Sequence, residues 1–252
     1  MSNPRFSVVI PCYNEEGNLA VLLERIGNAM GPLAVSYEIV ITDDRSTDGS
    51  WRLLQEIAAA DPRVRAQRLA HNCGESTAVW AGIRAARGDY VITMDADLQN
   101  DPGEIPRFVQ ALDHFDCVSG SRVQTRGRGD NILRVITSRV GNSVRNWLSG
   151  DQVSDSGCTY RAFRRECADN LIPFSGMHRF MPTLIKMEGY RVGEIPVINH
   201  PRHAGRSHYG FWNRLIFLQD LLAVRWMKKR KIRYEIAECA EAPSEVNAAA
   251  HR

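Results

Sequence analysis

The chain has 252 residues, of which 44% are hydrophobic and 24% charged, with a formal net charge of +3. That is ample apolar material for one α/β domain or two small ones, and too little net charge for a nucleic-acid binder. Six cysteines (Cys12, Cys73, Cys117, Cys158, Cys167 and Cys239) form no CxxC pair, which speaks against a disulfide frame or a zinc site and for thiols of a reducing compartment. The N-terminus runs into Ser7-Val8-Val9-Ile10 without a signal-peptide apolar region. No apolar run approaches the roughly 18 residues of a membrane span. The expectation is a cytoplasmic protein, or one lying on the cytoplasmic face of a membrane.

Phe6 to Ile10 reads as a strand ended by Pro11. Asn14, Glu15 and Glu16 open a helix with Leu19, Leu22, Leu23 and Ile26 at apolar positions, stopped by Gly31-Pro32. Tyr37 to Thr42 is a second strand, ended by Asp43-Asp44, and Ser46 to Gly49 is a turn. A helix then runs through Trp51, Leu54 and Ile57 to Asp61-Pro62, and Val64 to Leu69 is a third strand. Gly74 and Glu75 start a helix of small residues (Ala78, Ala81, Gly82, Ala85). Tyr90 to Met94 is a fourth strand, Pro102 to Leu112 a helix and Cys117 to Ser119 a short strand. This alternation predicts a mostly parallel sheet covered by helices on both faces. It weakens after Ser121.

Near the end, Phe211, Leu215, Leu218, Leu222 and Trp226 recur at helical spacing, interrupted by Asn213, Arg214, Gln219, Asp220 and Arg225. Lys228, Lys229, Arg230, Lys231 and Arg233 follow. The stretch is too polar and short to span a bilayer and reads as an amphipathic helix at a membrane surface. The expected organisation is a catalytic domain over 1–210, this helix over 211–236 and a disordered tail over 237–252.

The polar residues after the strands carry the chemistry. In open α/β sheets ligands collect at the carboxyl ends of strands. Asp95 and Asp97 follow the fourth strand one residue apart, with Gln99 beyond. Two carboxylates and an amide oxygen suit Mg²⁺ or Mn²⁺, which take one or two carboxylates together with substrate phosphates. The plain alternative is that Asp97 to Asp101 only cap the next helix. Pro11, Tyr13, Asn14 and Glu15 end the first strand, and Asp43 and Asp44 the second. An aromatic ring with carboxylates can hold a base and a ribose. Taken singly, Tyr13 could be a packing aromatic and Glu15 a helix-start carboxylate.

The stretches VVIPCYNEEGNL, ITDDRSTDGS, HNCGESTAVWAGIRAARGDYV, MDADLQNDP, SGSR, SDSGCTYRAFRRE and HRFMPTLIKMEGYRVGEIPVINHPRHAGRSHYG resemble glycosyltransferase family 2, most nearly its dolichol-phosphate and other polyprenyl-phosphate sugar transferases. They run in the family's order over Ser7 to Gly210. The resemblance implies a GT-A fold: a Rossmann-like, mostly parallel sheet flanked by helices. It implies that Pro11, Tyr13, Glu15 and Asp44 hold base and ribose, and that Asp95, Asp97 and Gln99 form the metal and diphosphate group. Arg202 and Arg206 can close on the same phosphates as fixed donors. The family's DDGS is DDRS here, so Arg45 brings a Cβ to a turn that favours glycine. His208 stands where a Lys is common.

The implied activity is an inverting, metal-dependent transfer of a sugar from a GDP- or UDP-sugar donor to a polyprenyl phosphate. An ionised phosphate acceptor needs no strong base, so positioning and electrostatics carry the catalysis. Arg122, Arg134 and Arg139 are candidates to hold that phosphate. Asp155 lies where relatives acting on hydroxyl groups place a base. Two rivals follow: transfer to a hydroxyl of a glycan or glycolipid, which needs Asp155 as base, and a non-enzymatic nucleotide-sugar binding module. The expected partners are the donor, the lipid phosphate and a membrane surface, with no nucleic acid.

Overall fold

The computed structural model describes residues 3–123, 154–155, 157–198, 200, 212–232 and 238. Seven strands form one sheet: β1 (Phe6–Cys12), β2 (Tyr37–Asp43), β3 (Val64–Arg68), β4 (Tyr90–Thr93), β5 (Cys117–Ser121), β6 (Arg161–Arg164) and β7 (Val192–Pro196). Their order across the sheet is β3-β2-β1-β4-β6-β5-β7. The pairs β1–β2, β1–β4, β2–β3 and β5–β7 are parallel, while β6 runs antiparallel to both β4 and β5.

Strand periodicity divides the core into two layers. Val8 and Ile10 of β1 point to one face and Val9 to the other, as the two-residue repeat requires. On the first face lie α1 (Glu16–Met30), α2 (Ser50–Ala60) and α4 (Ile105–Ala111), contributing Leu19, Leu22, Ile26, Leu54 and Phe108. On the second lie α3 (Glu75–Ala85), α5 (Met181–Met187) and α6 (Trp212–Arg230), contributing Val79, Ile83, Ile185, Leu221 and Val224. Each fully buried aliphatic side chain stabilises the fold by about 1.5–3 kcal/mol. The small residues of α3 serve close approach: a Cβ on Gly82 would lie 2.5 Å from Val9 Cγ1.

One expectation is corrected. Pro11 does not end β1; the strand continues to Cys12, with Pro11 opposite Thr42 of β2. Pairing with β4 stops at Val9–Thr93, so the missing Pro11 N–H faces no acceptor on that side. Two strands, β6 and β7, lie beyond the point where the alternation faded.

The terminal helix uses two opposite faces. Leu221 and Val224 are buried in the second core layer, whereas Leu222 is 52% and Trp226 64% exposed. Lys231 Nζ, just past the helix, donates to Met187 O at 2.8 Å and pairs with Glu188 at 2.6 Å. Among the described residues no helix is long and apolar enough to cross a membrane. The expected tail over 237–252 lies outside the described residues, except for Glu238.

Candidate active site

Because β1, β2 and β4 are parallel, their carboxyl ends share one rim. On the β1–β2 side, Asn14 and Asp44 are spent on main-chain donors. Asn14 takes a left-handed φ of 56°, and its Oδ1 accepts from Thr47 N at 2.7 Å and Asp48 N at 3.3 Å. Glu15 N donates to Ser50 Oγ at 2.9 Å, and Glu15 Oε2 accepts from Asn18 Nδ2 at 2.6 Å. The Asp44 carboxylate, 4% exposed, accepts from Cys73 N at 2.6 Å and Gly74 N at 2.8 Å, tying the start of α3 to the end of β2. Its neighbour Asp43 pairs with Arg68 Nε at 2.8 Å. Tyr13 stands 39% exposed on this rim and Pro11 is half-buried below it. Arg45 adopts φ 64° despite its Cβ, so the turn keeps the left-handed form at a cost of about 1–2 kcal/mol.

Past β4 side chains meet one another as well as the main chain. Asp95 Oδ2 accepts from Thr159 Oγ1 at 2.6 Å and from Asn100 Nδ2 at 3.4 Å. Asp97 Oδ1 accepts from Gln99 N at 3.1 Å across Leu98, which is buried at φ 62°. Strained backbone of this kind gathers at functional sites. Gln99 Nε2 donates to His200 O at 3.3 Å, which leaves Gln99 Oε1 as an acceptor. The helix cap is Asp101, whose carboxylate accepts from Gly103 N at 2.9 Å; Asp97 has no part in it. Burial first, and then the charge of Asp97, hold the Asp95 carboxyl above its ordinary range. A divalent cation between these carboxylates would relieve that repulsion. The donor set therefore fits Mg²⁺ or Mn²⁺ completed by water and phosphate. Among the described residues no group of three or more His, Cys, Asp and Glu side chains is placed to hold a metal ion by itself.

Beyond β5, Arg122 and Asp155 form a two-pronged pair. Arg122 Nε donates to Asp155 Oδ2 at 2.7 Å, Nη2 to Oδ1 at 3.0 Å, and the main-chain N to Oδ2 at 3.1 Å. Asp155 is 2% exposed. Next to it Ser154 Oγ meets Ser121 Oγ at 2.7 Å, and Ser154 N donates to the Glu194 carboxylate of β7 at 3.0 and 3.1 Å. The two ends of 122–155 are thus clasped together.

Sequence reasoning missed three contributors. Thr159, which holds Asp95, sits inside the SDSGCTYRAFRRE stretch without a signal of its own. Glu75 opens α3, and His178 lies in a one-turn helix, Met177–Arg179, with Nε2 3.6 Å from Glu75 Oε2. A GES stretch at a helix start signals only a favourable carboxylate. Burial pushes the thiols of Cys12, Cys117 and Cys167 up to about 12 and that of Cys158 to about 11. Arg134, Arg139, Arg202, Arg206 and His208 lie outside the described residues.

The family model described as glycosyl transferase family 2 matches residues 7–172. Undecaprenyl-phosphate 4-deoxy-4-formamido-L-arabinose transferase of Klebsiella pneumoniae (strain 342) is 39% identical over 220 residues, 86% of this chain and 66% of that protein. The protein of the same name from Edwardsiella ictaluri is 40% identical over 219 residues, again 86% of this chain and 66% of the relative. The chain thus spans about two thirds of the length of these curated relatives, 66% in both cases. Among solved structures, glucosyl-3-phosphoglycerate synthase from Mycobacterium tuberculosis, with Mn²⁺, UDP and phosphoglyceric acid, superposes with a TM-score of 0.62 at 19% identity, covering 92% of this chain and 80% of that one. A mannosyltransferase from Pyrobaculum calidifontis, with GDP-Man and Mn²⁺, gives 0.61 at 22% identity, covering 93% and 66%. Both likenesses are of fold, and the sheet described above is the GT-A sheet expected from the sequence.

Proposed function

The chain belongs to glycosyl transferase family 2, and from that premise we propose that it moves a sugar from a nucleotide-sugar donor to a polyprenyl phosphate at a membrane surface. The observation that carries this reading is the Arg122–Asp155 pair. An acceptor hydroxyl must lose a proton, and that needs a carboxylate with room to take it. The Asp155 oxygens instead receive three hydrogen bonds from Arg122. A phosphate acceptor is already ionised and asks only to be held, a task suited to an arginine beside the cleft. The names of the 39–40% identical relatives, undecaprenyl-phosphate sugar transferases, support the same acceptor class.

In this reading Tyr13, Glu15 and Asp44 hold base and ribose above Pro11, and the diphosphate sits at Asp95, Asp97 and Gln99. These three would hold Mg²⁺ or Mn²⁺, which when bound supplies Lewis-acid stabilisation of the leaving diphosphate. Arg202 and Arg206 cover the phosphates. Arg122, with Arg134 and Arg139, orients the acceptor. An acceptor phosphate oxygen bonds to the anomeric carbon from the face opposite the diphosphate as the old bond breaks. The configuration inverts, and the nucleoside diphosphate leaves.

The membrane part rests on the outer face of α6. Leu222 and Trp226 are exposed one turn apart, Ile232 is 82% exposed just beyond, and Lys228, Lys229 and Arg230 close the helix. An apolar strip ending in cations suits an anionic leaflet, where each Lys or Arg contributes about 1 kcal/mol. The cytoplasmic leaflet, where anionic lipid and nucleotide-sugars meet, is the proposed place of action.

The test offers UDP- and GDP-sugars with undecaprenyl phosphate and Mn²⁺ and weighs the lipid product by mass spectrometry. The expected product is a sugar joined to the lipid phosphate. Asp155→Asn should lower turnover about tenfold, the size of a lost orienting partner. A loss beyond about 1000-fold, the scale of a missing general base, would restore the hydroxyl-acceptor reading.

A further inference from the structure

We infer that Thr159 is a positioning residue that sets which cation the site accepts. Its hydroxyl holds Asp95 so that a single carboxylate oxygen is left for the metal, which favours Mg²⁺ and Mn²⁺ over Ca²⁺. This rests on the metal reading above and adds selectivity to it.

The lead-in to β6 holds both ends of the loop that carries Asp95, Asp97 and Gln99. Thr159 Oγ1 donates to Asp95 Oδ2 at 2.6 Å. Its neighbour Tyr160 is fully buried, donates from its hydroxyl to Asp101 O at 3.1 Å and packs its ring 4.3 Å from that of Phe108. Thr159 is fixed in turn, because the buried Thr93 of β4 donates from Oγ1 to Thr159 O at 2.7 Å. The chain of bonds from Thr93 through Thr159 to Asp95 therefore starts inside the sheet and ends on the carboxylate. Both threonines are β-branched, which restricts χ1 and keeps each hydroxyl on its line.

The hydrogen bonds to Asp95 fall on one of its oxygens. Oδ2 accepts from Thr159 Oγ1 and, at 3.4 Å, from Asn100 Nδ2. A carboxylate oxygen has about two lone-pair directions, so Oδ2 is filled. Among the described residues Oδ1 accepts no hydrogen bond, and it stays open to solvent. Oδ1 is the oxygen left for a cation.

A carboxylate held in this way ligates through one oxygen. Mg²⁺ and Mn²⁺ take small octahedral shells, and the bite of one carboxylate is too narrow for two corners of such a shell. They lose nothing when Oδ2 is withheld. Ca²⁺ takes six to eight oxygens in a looser shell and gains from a carboxylate that turns both oxygens towards it. Thr159 denies it that second oxygen.

The test titrates Mn²⁺ and Ca²⁺ calorimetrically into the full chain with UDP or with GDP, in wild type, Thr159→Val and Thr159→Ser. Valine keeps the branched shape and loses the donor, whereas serine keeps the donor. Thr159→Val should bind Mn²⁺ about 10- to 100-fold more weakly, the usual cost of removing the partner of a metal ligand, while Ca²⁺ stays within about threefold of wild type. Thr159→Ser should bring Mn²⁺ back to within about threefold of wild type. Thr93→Val leaves the Thr159 hydroxyl in place and loosens it from behind, so it should shift the Mn²⁺-to-Ca²⁺ ratio the same way by about threefold. A general loss of folding would weaken both cations alike and would not be repaired by serine. Equal losses for Mn²⁺ and Ca²⁺, or no loss in either, would overturn the inference and leave the metal assignment standing. A wild-type chain that takes up no Mn²⁺ beside UDP or GDP would instead remove the metal reading itself, and the inference with it.

Discussion

The two sides of the rim are made differently. On the β1–β2 side, Asn14, Glu15 and Asp44 hold main-chain N–H groups or brace a helix start, so each side chain helps build the loop it sits in. On the β4–β6 side, Asp95, Thr159, Arg122, Asp155 and Glu75 meet other side chains. A main-chain donor is present whatever residue carries it, whereas a side-chain partner exists only if both residues are kept. Substitutions on the first side should therefore cost stability as well as donor binding, and on the second activity with the fold intact.

The largest expected effect tests the second half of that statement. Asp97→Ala should lower turnover by at least about 100-fold, the cost of removing one electrostatic anchor of a leaving group. Its melting temperature without metal should stay at or above that of wild type, because one of two crowded carboxylates is gone. Mn²⁺ should raise the melting temperature of wild type but not of the variant, since a ligand at 100 times its Kd adds about 2.7 kcal/mol to the state that binds it. Turnover unchanged at saturating Mn²⁺ would end the metal assignment.

Next comes Asp44→Ala on the other side. It strips two main-chain donors of a charged acceptor and should cost about 2 kcal/mol in a urea titration. A variant as stable as wild type would mean that water replaces the carboxylate at the start of α3, and the contrast between the sides would weaken.

His178 gives a pH-dependent version. Its folded pKa of about 3 lies below the ordinary 6.5, so acid protonates the unfolded chain first. The stability due to the neutral ring is complete above pH 6.5 and drains as pH falls towards 3, at up to about 1.4 kcal/mol per pH unit. The urea midpoint of wild type should fall more steeply between pH 7 and 5 than that of His178→Gln. Parallel profiles would show that the ring is reached by protons in the folded state.

The smallest effect concerns Arg45. Glycine at φ 64° removes the left-handed cost but loosens the unfolded chain, so Arg45→Gly should stabilise by about 0.5 kcal/mol net. Destabilisation would show that the exposed Arg45 side chain makes contacts worth more than the strain.

These contrasts also account for what was legible in the sequence. The first five strands and the helices between them were readable because apolar runs such as SVVI and YEIVIT are bounded by Gly, Pro and Asp. β6 and β7 were not: β6 carries Arg161 and Arg164, and β7 carries Gly193, Glu194 and Pro196, so neither looks like a buried strand. Arg161 is nonetheless 2% exposed, a burial that only the folded sheet reveals. The aspartates of the rim were legible because they follow strands directly. Thr159 lies 64 residues from Asp95, and His178 lies 102 from Ser76, and no local pattern announces such pairs. The apolar stripe of α6 was legible as a stripe, but Leu222 and Trp226 face outward while Leu221 and Val224 hold the helix to the core.

The clasp between residues 122 and 155 bears on how the rim keeps its register. Arg122–Asp155, Ser121–Ser154 and Glu194–Ser154 fix both ends of that span to the sheet, so the sheet meets the same two anchor points whatever is strung between them. The register of Arg122 with Asp155 is therefore set through Ser121 and Glu194, by strands of the sheet itself.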